Sequence, residues 1–237
     1  MVIEAVTRPL RYADFVEIAV IIPSLCENDR VYDAIFSARG VGVEVLVVDG
    51  GSGDGTSATA ARAGARVITS PPGRSTQCDT GFRASVAPVV LFLHADTILP
   101  QNWQDGVKNS LRDPAVSGGA FSFSFDKKGL ALACVEWGVK LRTALFRLPY
   151  GDQAIFARRS VLESAGGFPL APIMEDLDLV RQIKLAGKFV LLSPKITTSS
   201  RRYLDRGVLK TSFRNFLALI AWWLELDRDR IAKWYST

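Results

Sequence analysis

Residues 43–48 (VEVLVV) run straight into Asp49-Gly-Gly-Ser-Gly-Asp-Gly-Thr56. A β-branched run that opens onto four glycines reads as a buried strand feeding a tight turn. Working outward, the same punctuation recurs. Residues 17–22 (EIAVII) stop at Pro23, residues 66–69 form a short strand, and residues 89–93 lead into His94-Ala95-Asp96. Helical patterns fill the intervals at 29–39, 56–63 and 74–85, the last after Pro71-Pro72-Gly73. Strand–helix alternation of this kind predicts βαβ crossovers. Nearly continuous apolar strands belong to a sheet covered on both faces. The predicted class is α/β, a Rossmann-like, mostly parallel central sheet flanked by helices.

The second half is patterned differently. Residues 119–125 (GAFSFSF) alternate as a half-buried strand does, and residues 130–146 are helical in pattern with an interruption at Gly138. A short apolar stretch follows at 153–157, then a helix over 175–186, a strand over 189–192 and an aromatic-rich helix over 209–223. No repeat or long linker divides the chain. It reads as one domain over 1–237: a nucleotide-type half at about 17–115, an acceptor-side half at about 116–205 and a C-terminal helical segment at about 206–237.

Composition sets the outer bounds. At 237 residues, 48% hydrophobic and 22% charged, the chain is neither disordered, collagenous nor a coiled-coil rod. Cys26, Cys78 and Cys134 lie far apart with no CxxC pair, which argues against a zinc site or disulfide framework and fits a reducing compartment. Twenty-nine basic against 24 acidic residues give a net charge of +5, suited to an anionic ligand or an anionic membrane surface. No basic run with interleaved aromatics suggests nucleic acid. Acidic residues stand where a signal peptide would carry its apolar core. The longest apolar run near the C-terminus, residues 216–224 (FLALIAWWL), is half of what a spanning helix needs. A cytoplasmic protein is expected, with peripheral contact at the inner membrane face through the C-terminal helix, and a homodimer, left open.

Ligands of open parallel sheets bind beyond the C-terminal strand ends. Here that edge gathers Glu27, Asp49, Asp54 and Asp96. Carboxylates so clustered repel one another unless a cation or a hydrogen-bonding ligand is present, and a divalent metal carrying a phosphate would resolve the conflict. The glycine loop is not a P-loop, because no lysine follows in the GxxxxGK[ST] spacing, and its glycines do not fit the dinucleotide fingerprint.

Taken in order, Pro23-Ser-Leu-Cys-Glu27, Asp49 with Ser52, Asp54 and Thr56, and Leu93-His94-Ala95-Asp96 resemble the inverting glycosyltransferases of family 2. Gly73-Arg74-Ser-Thr-Gln77, Gly118-Gly119-Ala120-Phe121, Gly151-Asp152-Gln153, Gly166-Gly167-Phe168-Pro169 and Glu175-Asp176 extend the resemblance over roughly 17–203. The Gly-Arg, Leu-His-Ala-Asp-Thr and Met-Glu-Asp-Leu-Asp wording is also similar to a bacterial subgroup, transferase 2 of radical-SAM/selenodomain clusters, which is associated with arsenosugar biosynthesis.

The resemblance implies a single GT-A domain that transfers one sugar, with inversion, from a nucleotide-diphosphate sugar to a small-molecule or polyprenyl-type acceptor. It implies Asp176 as the general base with Glu175 beside it. Pro23, Glu27, Asp49, Asp54, Arg74, Gln77, Ala95, Arg201 and Arg202 would bind the nucleotide sugar. Asp96, with His94, would hold Mg²⁺ or Mn²⁺. His94 stands where the family carries an aspartate, and each of these residues also has a plain structural reading as a cap, a turn or a surface charge. Arg201-Arg202-Tyr203 departs from the Gln-x-x-Arg-Trp motif of processive relatives, which argues against a polymer synthase and leaves an arginine pair on a flexible loop. Asp178 reads as a first-turn helix charge. Trp137, Trp222 and Trp223 read as core, acceptor pocket, dimer face or membrane contact. The competing readings are a nucleotidyltransferase and a non-catalytic nucleotide-sugar-binding module.

Overall fold

The apolar run before the first loop, Ile18–Ser24, is strand β1, and its side chains alternate between the two faces of the sheet. Ile18, Val20 and Ile22 join one core, while Ala19 and Ile21 join the other. This two-sided burial is why the strand is apolar throughout. The computed structural model describes residues 17–236, so the expectation about a leader segment rests mostly on residues outside the described ones.

Helix α1 (Val31–Ala38), strand β2 (Val43–Asp49), helix α2 (Thr56–Arg62), strand β3 (Arg66–Thr69), helix α3 (Arg74–Ala84) and strand β4 (Val89–Phe92) follow as the sequence predicts. After them come β5 (Thr97–Ile98), α4 (Trp103–Ser110), β6 (Val116–Phe125), α5 (Leu130–Phe146) and a 3-10 turn at Gly151–Gln153. The chain continues with β7 (Ile155–Arg158), α6 (Arg159–Ser164), α7 (Glu175–Ala186), β8 (Lys188–Thr198), α8 (Arg201–Arg206), α9 (Val208–Trp223) and α10 (Arg228–Ser236).

One eight-stranded sheet runs β3-β2-β1-β4-β7-β6-β8-β5. Its β3-β2-β1-β4 half is parallel, β6 and β8 are parallel, and β7 is antiparallel to both β4 and β6. The sheet is therefore mostly parallel, in a single GT-A-like domain. The strand order reverses between β1 and β4, and a ligand crevice opens at such a switch point. Gly118 and Gly119 let β6 sit between its neighbours: a Cβ on either would lie 2.3 Å from a backbone oxygen, that of Phe156 or Val190.

Three expectations need correction. Gly138 does not interrupt α5, because it lies on the exposed side and leaves no packing gap. The strand expected over 189–192 extends to Thr198, since β6 and β5 pair along its length. Arg201 and Arg202 lie on helix α8 rather than on a flexible loop. Asp126 fixes the start of that helix by accepting from the Ser200 N–H at 2.8 Å. Helices α4, α6, α8 and α10 and strand β5 were not anticipated. Met174, Leu177, Ala218 and Ile231 form a small third core that fastens α9 and α10 over α7.

Candidate active site

Two of the acidic strand-end residues are held by their own loop. Asp49 Oδ1 accepts from the Ser52 N–H at 3.0 Å and the Ser52 hydroxyl at 2.6 Å, and Oδ2 accepts from the Ser57 hydroxyl. Burial works to raise its pKa, but the hydroxyl and backbone donors outweigh burial and hold the carboxyl below its ordinary range. Asp54 accepts from the Thr56 N–H and hydroxyl with one oxygen and from the Asn28 N–H with the other. The Cys26 N–H donates to Ser52 and the Glu27 N–H to Thr56, so the loops after β1 and β2 are stitched together. Gln77 is buried and donates to the Ser24 and Val48 carbonyls, locking α3 under the same edge. Pro23 sits inside β1 opposite Val48.

Beyond this frame lies a cleft of about 340 Å³. Arg74, His94, Asp96, Asp152, Glu175, Asp176 and Arg202 line it, and Tyr150, Tyr203, Asn215 and Tyr235 contribute aromatic and polar wall. Of the predicted residues, Arg74, His94, Asp96, Glu175, Asp176 and Arg202 thus share one cleft. Pro23, Glu27, Asp49, Asp54, Gln77, Ala95 and Arg201 do not line it. Glu27 still reaches toward it through Arg201, at 3.3 Å, while its second oxygen meets Arg30, also at 3.3 Å.

Arg74 opens α3 and is the hub of the cleft. Its Nε pairs with Glu175, Nη2 lies 3.6 Å from Asp176, and Nη1 lies 3.1 Å from His94 Nε2. A guanidinium only donates, so His94 Nε2 accepts and the ring proton sits on Nδ1. Burial, then Arg74 and Arg202, push the His94 pKa down to about 3, so the imidazole is neutral. With its Nε2 lone pair turned to Arg74, His94 has no free Nε2 donor for a metal in this geometry. Asp176 Oδ2 also accepts from the Gly151 N–H at 2.6 Å, and Oδ1 from the Leu177 N–H at 2.9 Å.

Asp96 is placed differently. Among the described residues its nearest side-chain donor is the Thr97 hydroxyl at 3.5 Å, and no ion pair within 4 Å reaches it. Burial and then the Glu27 carboxylate raise its pKa, partly offset by Arg201. The chain brings α8 to this point because the Ser199 N–H donates to the Asp96 carbonyl and Thr97 shares a 2.8 Å hydrogen bond with Thr198. Among the described residues no group of three histidines, cysteines or acids could hold a metal alone. A lone under-partnered carboxylate fits a hard cation whose remaining ligands are substrate phosphates and water.

Asp152 was quoted within a motif but given no role. Its Oδ1 is buried with no hydrogen-bond partner. Burial pushes the carboxyl up to about 6, Arg142 pulls against this, and Asp176 adds to it. Arg142 stacks 3.5 Å from the Tyr150 ring centre and likewise carries a buried, unpartnered Nη2. No local signal separates Asp152 from a turn aspartate, because the charges around it come from α5, α7 and α3.

Asp178 is more than a first-turn charge. It accepts from the Trp222 indole at 2.8 Å and from Arg228 at 3.0 Å, tying α9 and α10 to α7. Trp222 is thereby a packing residue, whereas Trp137 and Trp223 are exposed.

Comparison with known proteins agrees with this geometry. The family model described as Glycosyl transferase family 2 matches residues 19–148. An uncharacterized glycosyltransferase of Mycobacterium bovis is 36% identical over 80 residues, which span 33% of this chain and 36% of that relative. The match therefore spans little more than a third of the curated relative's length. Among solved structures, glucosyl-3-phosphoglycerate synthase from Mycobacterium tuberculosis in complex with Mn²⁺, UDP and glucosyl-3-phosphoglycerate is 22% identical, with a TM-score of 0.64 over 90% of this chain and 81% of that one. The same synthase with Mn²⁺ and UDP-glucose is 20% identical, with a TM-score of 0.56 over 76% of this chain and 70% of that one. These likenesses show the fold. They also overturn the narrower resemblance to the arsenosugar-associated subgroup, since the structures matched are of a glucosyl-3-phosphoglycerate synthase. The Met-Glu-Asp-Leu-Asp wording behind that resemblance has a packing role here, because Met174 and Asp178 fasten the C-terminal helices.

Proposed function

This chain belongs to glycosyl transferase family 2, and from that premise we propose that it moves one sugar, with inversion, from a nucleotide-diphosphate sugar to a hydroxyl of a small-molecule acceptor. The observation that carries the reading is the cleft itself, where Arg74, Asp96 and Asp176 converge from three separate strand and helix ends. The solved neighbours hold UDP or UDP-glucose with Mn²⁺ or Mg²⁺, which supports a uridine diphosphate donor here. Asp96 would hold the divalent cation, and when bound the cation would neutralise charge on the departing diphosphate. Arg74, at a helix start, and Arg202 would add positive charge beside the diphosphate. Tyr150, Tyr203, Asn215 and Tyr235 line the far wall. That polar wall favours a hydroxylated small acceptor over a polyprenyl chain.

Asp176 is the proposed proton acceptor for the attacking hydroxyl. The Gly151 and Leu177 N–H groups and Arg74 fix its orientation, as a base needing reach of roughly 3 Å requires. A second reading rests on one observation: Asp152 has a free buried oxygen in the same cleft, whereas Asp176 is already hydrogen-bonded on both. Two measurements decide. A thermal-shift panel of UDP, GDP, dTDP and CMP with and without Mn²⁺ should show metal-dependent stabilisation by UDP. Asp176→Asn should then lower turnover by about 10²–10⁴ while the UDP shift persists. If Asp152→Asn rather than Asp176→Asn abolishes turnover, the base is Asp152. If neither lowers the turnover of an active preparation, the base assignment fails. No nucleotide response from folded protein would overturn the donor reading.

A further inference from the structure

Helix α9 is amphipathic in the reverse sense for a surface helix. Its fully buried residues, Thr211 and Ala218, are small, and Leu219 and Trp222 are half-buried, while five other large apolar side chains point outward. Leu209, Phe213, Phe216, Ile220 and Trp223 recur at spacings of three and four, within a sector of roughly 100° on a helical projection. Leu209 is 87% exposed and Trp223 74%. Helix α5, which touches α9, repeats the pattern: Leu130, Trp137, Leu141 and Leu145 are all exposed, and Leu130 is 90% exposed. Isolated exposed leucines need no explanation, but two adjoining helices with outward apolar stripes do.

Basic residues border these stripes, mostly toward the N-terminal ends of the two helices, while exposed Glu225 follows Trp223 at the far end of α9. Lys127, Lys128 and Lys140 flank the α5 stripe, Arg206 ends α8 just before α9, and Lys210 lies in the first turn of α9, all of them exposed. We propose that α5 and α9 together seat the protein on the surface of an anionic lipid bilayer, with their apolar stripes in the headgroup boundary and the basic fringe on lipid phosphates. No described helix is long and apolar enough to cross a membrane. The stripes have the composition of helices that lie in the interface, with aromatic side chains on the buried side and lysines on the polar side. A second copy fits less well. A two-fold contact lays the same patch against itself, which would bring the two basic fringes together. An anionic bilayer answers both the apolar stripe and the charge. This inference does not depend on the transfer chemistry.

The test is co-flotation of the full chain with vesicles of phosphatidylcholine alone and with phosphatidylglycerol added at about 30%, a level giving a surface potential strong enough to attract basic residues. Binding should be confined to the anionic vesicles and weaken as salt rises. Phe213→Glu with Trp223→Glu should lower partitioning at least about tenfold. Both positions are exposed, so the melting temperature and the nucleotide-induced shift should stay at wild-type values. Trp137→Glu tests α5 by the same readout. Absence of anionic-vesicle binding would overturn the proposal, as would equal binding to neutral vesicles. Dimerisation that Phe213→Glu abolishes, in a protein that ignores vesicles, would assign the face to a second copy instead.

Discussion

The loops after β1 and β2 and the cleft beside them are built from the same residue type and treat it in opposite ways. In the loops, Asp49 and Asp54 have donors on both oxygens. In the cleft, among the described residues, Asp96 has one distant side-chain donor and Asp152 has a buried oxygen with no partner. A buried carboxylate without partners is costly, and a folded protein keeps one where a ligand completes it. The difference separates aspartates that shape the strand-end loops from aspartates whose oxygens the chain leaves under-partnered.

The strongest test of that division is Asp96→Asn. Transfer should fall by about 10²–10³, comparable to loss of a main electrostatic contact, and nucleotide stabilisation should lose its Mn²⁺ dependence. The melting temperature without ligand should hold or rise, because the repulsion with Glu27 is relieved. A large drop in stability would move Asp96 into the frame and break the comparison.

Asp49→Ala should do the reverse. It strands the Ser52 and Ser57 donors and the Ser52 N–H, for a stability loss of about 2–4 kcal/mol. In a chain of this size that lowers the melting temperature by roughly 5–15 °C. Denaturant melts would show the loss, and any transfer that remains at low temperature should keep its metal dependence. Unchanged stability with lost nucleotide binding would instead make Asp49 a direct ligand contact.

How much of this was legible beforehand follows the range of the interactions. The parallel half could be read because its strands are short local apolar runs, with proline or glycine at or soon after the ends of β1, β2 and β3, and β1 to β4 fall within two residues of their predicted bounds. The acidic strand ends followed from topology. Which aspartates were satisfied did not, because the donors to Asp54 come from both loops. Asp152 was invisible as a site residue for the same reason, its state being set by Arg142 on α5 and Asp176 on α7. Helix α10 carries a weak apolar pattern and is held by Arg228 on Asp178, 50 residues away, which no window of sequence reports.

Asp152 also makes the comparison pH-dependent. Its folded pKa, about 6, lies above the ordinary value, so the folded state takes up its proton more readily than the unfolded chain does. The stabilising effect of that proton is full below about pH 4 and is lost as pH rises through about 6. Asp152→Asn should therefore raise stability at pH 7.5 by about 1–3 kcal/mol, discounted for partial exposure, and change little at pH 4. Melts at the two pH values check this. An equal effect at both would mean that Asp152 is satisfied in solution and belongs with the loop aspartates.

The smallest effect sharpens the comparison at one atom. Gly151 has no side chain where it abuts His94 and Asp176: a Cβ there would lie 3.0 Å from His94 Nε2 and 3.3 Å from Asp176 Oδ2. Its N–H donates to Asp176, so its backbone cannot retreat without losing that bond. Gly151→Ala should push His94 and Asp176 by a few tenths of an ångström, and misplacement of that order costs up to about tenfold in rate. Stability should scarcely change, because the cleft can open toward solvent and no core residue is displaced. Steady-state kinetics should show the loss in kcat, with the UDP-induced thermal shift intact. If the UDP shift falls instead, Gly151 serves the nucleotide side, and the boundary between the frame and the reacting cleft lies one residue further toward Asp152.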